Sequence, residues 1–147
     1  MRTSPLFASA PDHQRIGIAV LRLITGVTFA AHGYQKLFVY NIAGVQGAFA
    51  KMGVPMPTVT GPLIGCLEFF GGLALIIGLM TRLIALGLAA DMLGAILLVH
   101  LAKGFFLPGG YEFVLMLFAA AVALAAAGPG SFSVDELIAR RTGSPDR

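Results

Sequence analysis

Four long apolar stretches fill most of this 147-residue chain: about Ile16–Phe38, Val59–Met80, Leu83–Leu101 and Tyr111–Ala127. Roughly 20 apolar residues cross a bilayer core. In lipid, a helix satisfies its own backbone and an open strand does not. The expected fold is therefore all-α, an integral membrane four-helix bundle over residues 15–130. Only 12% of the residues are charged, against roughly 25% in soluble domains, which excludes a soluble fold.

The flanks complete the organisation. Residues 1–14 form a polar leader with Pro5, Pro11 and Asp12, and residues 131–147 form a tail; both are read as cytoplasmic. The first stretch is too long for a cleavable signal, and Arg22 interrupts it, so it reads as a retained span. Thr81-Arg82 make a tight turn, so spans two and three form an antiparallel hairpin. Within the longest connection, Val39–Thr58, the weakly amphipathic run Ile42–Met52 fits either a short interfacial helix over the bundle mouth or an irregular loop. In the tail, Ser133-Val134-Asp135-Glu136 ahead of Leu137-Ile138 reads as a helix cap. A short surface helix and then a disordered end are expected there.

Orientation follows the basic residues. Arg2, Arg15, Arg82, Arg140, Arg141 and Arg147 fall on one side of a four-span chain, and Lys36, Lys51 and Lys103 on the other. That bias predicts N-in and C-in. The net charge of +3 lies in these flanks and forms no nucleic-acid stripe, so the bilayer is the expected partner, not nucleic acid. The single cysteine, Cys66, has no CxxC mate and reads as a small buried packing residue.

Inside the stretches stand a few ionisable residues, which are costly at membrane depth. Arg22, Thr25, Phe29, His32 and Lys36 fall within about 80° on a helix, a single stripe facing the bundle. Glu68 shares a face with Gly61, Gly65 and Gly72, and Gly61–Gly65 is a GxxxG spacing suited to close helix approach. Asp91 shares a face with Gly87 and Gly94, whereas His100 points the opposite way on an ideal helix. Counting ~1.5 Å per residue, Arg22, Asp91 and Glu68 lie about 9, 13 and 18 Å above the inner edge. This predicts a structural ion pair near midplane between Arg22 and either Glu68 or Asp91.

His32, Lys36, His100 and Glu112, with Tyr111, sit in the outer third and predict an outward-facing polar pocket. Glu68 lies between the layers and fits either. No HxxxH or ExxH pair sits on one helix, and Lys36 would repel a cation, so no metal site is expected. Nucleotide, flavin and nicotinamide motifs are absent, and no covalently bound cofactor is expected. Lys, His and Tyr donors around an apolar cleft suit the oxygens of a quinone or a small anion, with histidine able to relay a proton.

These residues also carry a resemblance. Arg22-Leu23-Ile24-Thr25-Gly26, His32-Gly33-Tyr34-Gln35-Lys36-Leu37, Gly65-Cys66-Leu67-Glu68-Phe69-Phe70-Gly71-Gly72, Gly78-Leu79-Met80-Thr81-Arg82, His100 with Gly104-Phe105-Phe106, and Tyr111-Glu112-Phe113 resemble the DoxX family of bacterial four-helix inner-membrane proteins. The resemblance runs from about Arg15 to Asp135. The family is named for a small membrane subunit of an archaeal thiosulfate:quinone oxidoreductase. It implies a multi-pass inner-membrane protein that works with quinones or with a redox complex. The polar cluster itself supplies the expected ligand-binding set, His32, Lys36, Glu68, His100, Tyr111 and Glu112. A redox partner protein and a homo-oligomer packed through Gly/Ala faces are further expectations. The alternative function is a non-enzymatic scaffold that docks a redox partner. A thiosulfate activity is not implied, because one cysteine cannot handle sulfur covalently by disulfide exchange.

Overall fold

The computed structural model describes residues 11–143, and every regular element among them is helical. Helix α1 (Pro11–Tyr34) runs on into a π turn at Gln35–Val39. A short α2 (Asn41–Lys51) follows, then α3 (Pro57–Ile77). Helix α4 (Thr81–Ala95) continues through a second π turn at Ile96–His100 and a 3₁₀ turn at Leu101–Lys103. Helices α5 (Glu112–Ala127) and α6 (Val134–Arg141) complete the chain. Arg2, Pro5 and Arg147, and with them most of the leader and the expected disordered end, lie outside the described residues.

Three segments are long and apolar enough to cross a membrane: Asp12–Val39, Pro57–Ile77 and Thr81–Lys103. Helix α5 is apolar but shorter, at 16 residues. The run after the first span is a helix, which settles the choice left open by its weak amphipathicity. The first helix begins earlier than the apolar run does, at Pro11.

Helix α1 packs on α3 at backbone distance. A Cβ on Gly26 would meet the Gly72 carbonyl oxygen at 2.8 Å and the Ile76 nitrogen at 2.9 Å. Without side chains there, the two backbones touch, which is how helices associate tightly in lipid. Gly61 and Gly65 are also spent inside the chain. They face Val45 of α2 and Leu37 of the first π turn, so the GxxxG spacing seats the roof of the bundle and presents no free face to a second copy. Leu75, Ala85, Leu88, Ala121 and Leu124 form the fully buried core between α3, α4 and α5. Phe70, Leu86, Leu97 and Met116 point outward, as apolar side chains facing acyl chains do. Cys66 joins them on the exposed side of α3, which corrects its reading as a buried packing residue.

One end of the bundle is closed by the tail. Ser133 Oγ accepts from the Glu136 amide at 3.1 Å and caps α6, as the sequence predicts. The Asp135 carboxylate accepts from the Met80 and Thr81 amides at 2.7 and 2.8 Å. It caps α4, where orphan N–H groups and the helix dipole favour an anion. Arg82 donates to the Ala125 and Ala126 carbonyls at 3.1 and 2.6 Å, closing the C-terminus of α5. Ser131 donates to the Arg15 carbonyl at 3.2 Å. The start of α1, the α3–α4 turn and α6 therefore meet at this end.

Candidate functional site

At the opposite end, α2 and the segment after it roof a cavity of about 530 Å³. Each wall follows from helical spacing. Helix α1 and its π turn present His32 and Lys36, four residues apart. Helix α3 presents Thr60, Ile64 and Glu68 at the same interval. Helix α4 presents Asp91 and Gly94, the π turn after it Leu98, and α5 Phe113 and Leu117. Phe49, Met52, Pro55 and Met56 make the roof. The wall is apolar except for a few converging polar groups, the usual character of a small-molecule site.

Lys36 Nζ forms an ion pair with Glu68 Oε2 in which the Glu68 side chain is almost fully buried. Asp91 stands beside this pair, in electrostatic contact with both Glu68 and Lys36. Its Oδ2 is buried with no hydrogen-bond partner. The His32 ring packs on Phe113, with ring centroids 6.0 Å apart. His100 Nδ1 donates to the Gly109 carbonyl at 2.9 Å. No group of three His, Cys, Asp or Glu side chains among the described residues is placed to hold a metal ion.

The ion pair near midplane is not the one depth alone predicts. Arg22 pairs with neither Glu68 nor Asp91. Its Nη2 donates to the Ser131 and Phe132 carbonyls at 3.2 and 3.0 Å. Helical side chains lean toward their own N-terminus. Arg22 therefore reaches back to the closed end, and Lys36 reaches back to Glu68. Axial counting assigned each cation its own height and missed that lean.

Two further placements differ. Tyr111 and Glu112 form no part of the cavity wall. Glu112 Oε1 accepts from the Leu107 amide at 2.7 Å and braces the α4–α5 connection. Tyr111 packs edge-on against Phe105 at 5.3 Å. Asp91 and His100, opposed on an ideal helix, both line the cavity. The second π turn lies between them, and its wider i→i+5 winding advances each residue by less than an α-helix does. The sequence offers no sign of the roof residues Met52, Pro55 and Met56 as wall, because their position depends on how α2 folds back over α3.

Fold and site together define a class: a small helical membrane protein with several apolar helices long enough to cross a bilayer and a polar-floored cavity inside its bundle. Residues 17–101 match the DoxX family. The chain belongs to that family. It is 33% identical to the inner membrane protein YqjF of Escherichia coli, covering 86% of this chain and 95% of that protein. It is 31% identical to the putative oxidoreductase CatD of Bacillus subtilis, over 84% of this chain and 87% of CatD. It is also 31% identical to the uncharacterized membrane protein Rv3486 of Mycobacterium tuberculosis, over 84% and 82%. No solved structure matches the chain.

Proposed function

We propose that this protein is a membrane component of a quinone-linked redox system and binds a quinone, or a similar small amphipathic ligand, in the α2-roofed cavity. One observation carries the reading. An apolar cavity inside a membrane bundle ends on a charged cluster, Lys36–Glu68 with Asp91, flanked by His32 and His100. Such a cluster is costly in lipid and is functional by default. The volume, about 530 Å³, falls within the ~300–1,000 Å³ usual for small-ligand sites. The printed name of one relative, a putative oxidoreductase, points the same way. When bound, a quinone supplies electron and proton exchange. The chain supplies an apolar slot for the ring and tail, Lys36 and the histidines to orient ring oxygens, and an apolar roof from Phe49, Met52, Pro55 and Met56.

The same reading makes α5 the fourth span and puts both chain ends in the cytoplasm. Arg15, Arg82, Arg140 and Arg141 gather at the tail end, as the positive-inside rule requires of the cytoplasmic side. A photoreactive quinone analogue tests the ligand. Crosslinks should map to the peptides bearing His32, Glu68 and His100 and disappear with excess ubiquinone. Crosslinks only to the lipid-facing side of α3 or α5 would contradict the reading.

A second reading, a scaffold that docks a soluble redox partner, draws on the tail end. Phe132 is 82% exposed, and Leu137 and Ile138 on α6 are also exposed. Under that reading a redox enzyme co-purifies with the wild type and is lost from a Phe132→Ser/Leu137→Ser variant. An unchanged co-purifying set would count against it.

A further inference from the structure

The polar floor of the cavity is rich in acceptors. Two carboxylates, Glu68 and Asp91, meet one ammonium, Lys36, and that ammonium is paired with Glu68. Asp91 Oδ2 is buried without a hydrogen-bond partner, and the group hydrogen-bonded to the rest of its side chain is Glu68, a second carboxyl. His100 adds to the imbalance. Its Nδ1 faces the Gly109 carbonyl, and a carbonyl can only accept. Nδ1 therefore carries the proton, and a neutral ring leaves Nε2 as a lone-pair acceptor.

A buried acceptor without a donor costs free energy that a ligand's donor can recover. A quinone carbonyl brings only lone pairs and would sit against a carboxylate. A hydroquinone brings two hydroxyl donors. Resting on the quinone reading of the cavity, we infer that the site is selective for the reduced, hydroxyl-bearing form of its ligand, and that Asp91 sets this preference. Asp91 acts as a binding residue here, accepting from the ligand hydroxyl, with His100 Nε2 as the second acceptor on the wall.

The test uses the full chain in lipid nanodiscs under anaerobic conditions. Ubiquinol-1 and ubiquinone-1 are titrated separately by calorimetry, on wild type and on Asp91→Asn. In wild type, ubiquinol-1 should bind about tenfold more tightly, the ratio one recovered hydrogen bond to a charged group gives. In Asp91→Asn, which can donate as well as accept, the two affinities should converge. Equal affinities in wild type, or tighter ubiquinone-1, would overturn the preference and leave the quinone reading standing. Binding of neither would overturn the quinone reading and the preference with it. If Asp91→Asn does not fold, His100→Phe serves in its place. It removes the second acceptor and should narrow the ratio, and an undiminished ratio would contradict the acceptor wall.

Discussion

The two ends of this bundle both bury charge, and they use it differently. At the tail end Arg15, Glu136 and Arg140 pair with one another at the surface, whereas the groups that tie the helices together close on a helix terminus or a loop backbone. Asp135 caps α4, Arg82 closes α5, and Arg22 holds the Ser131 and Phe132 carbonyls. At the α2 end, Lys36, Glu68 and Asp91 face one another and an open volume. Backbone partners are fixed, so the first arrangement locks the fold. Side-chain partners beside a cavity can exchange one another for a ligand. Burial alone, which marks both Arg22 and Glu68 at 3% exposure, does not separate the two roles. The kind of partner does.

That contrast is most sharply broken by substitution at Arg22. Arg22→Met leaves two part-buried carbonyls without their donor and should cost about 3–6 kcal/mol, at about 1.5–3 per charged hydrogen bond. Thermal unfolding in detergent reads it. Because the partners are backbone, no second side-chain change should restore stability, and a side-chain suppressor on Glu68 or Asp91 would contradict the assignment. Lys36→Met comes next. It leaves Glu68 buried and uncompensated, at a cost of about 2–3 kcal/mol, below the usual buried-pair value because Lys36 lines the cavity. Here Glu68→Gln in the same chain should recover most of the loss, since neutral partners need no ammonium. Failure of that rescue would make the pair architectural, like Arg22.

Asp135→Ala removes an anionic cap from α4 and should cost about 1–2 kcal/mol. It should leave ligand affinity at the far end unchanged, and a loss of affinity would show that the ends are coupled. The smallest effect is electrostatic. Burial raises the Glu136 carboxyl, but its hydrogen bond and charge contact with Arg140, the nearby Arg15 and a Phe132 backbone contact outweigh this and hold it below its ordinary value. A depressed folded value means stability is present above the unfolded value, about 4.3, and is lost as pH falls through the folded one. Melting temperature should therefore drop on acidification below about pH 4, and Glu136→Gln should flatten that part of the curve.

Much of this was legible in the residues. Apolar length announced the membrane helices, and helical phase put His32 and Lys36 on one inward stripe. The Ser133 cap was written in the tail. The missing parts share a physical cause, since they depend on features that local spacing does not encode. The lean of Arg22 and Lys36 toward their N-termini decides which carboxylate each reaches. A π turn brings His100 around to the side of Asp91. Asp135 looks like part of a local capping run, yet it caps a helix more than fifty residues away in sequence, across a contact that only tertiary folding makes. Glu112 and Tyr111 stood at the right height but were taken up by their own loop.

Gly94 offers a way to close the cavity without touching any of these charges. It lines the wall, and a Cβ there would meet nothing within 4 Å. Gly94→Leu should fill the space while raising helix propensity. Calorimetric titration of this variant with a ubiquinone analogue, alongside its melting temperature, separates occupancy from architecture. Affinity should fall at least tenfold with the melting temperature equal to wild type or higher. Undiminished affinity in a folded Gly94→Leu protein would place the ligand elsewhere and contradict the role given to the α2-roofed cavity.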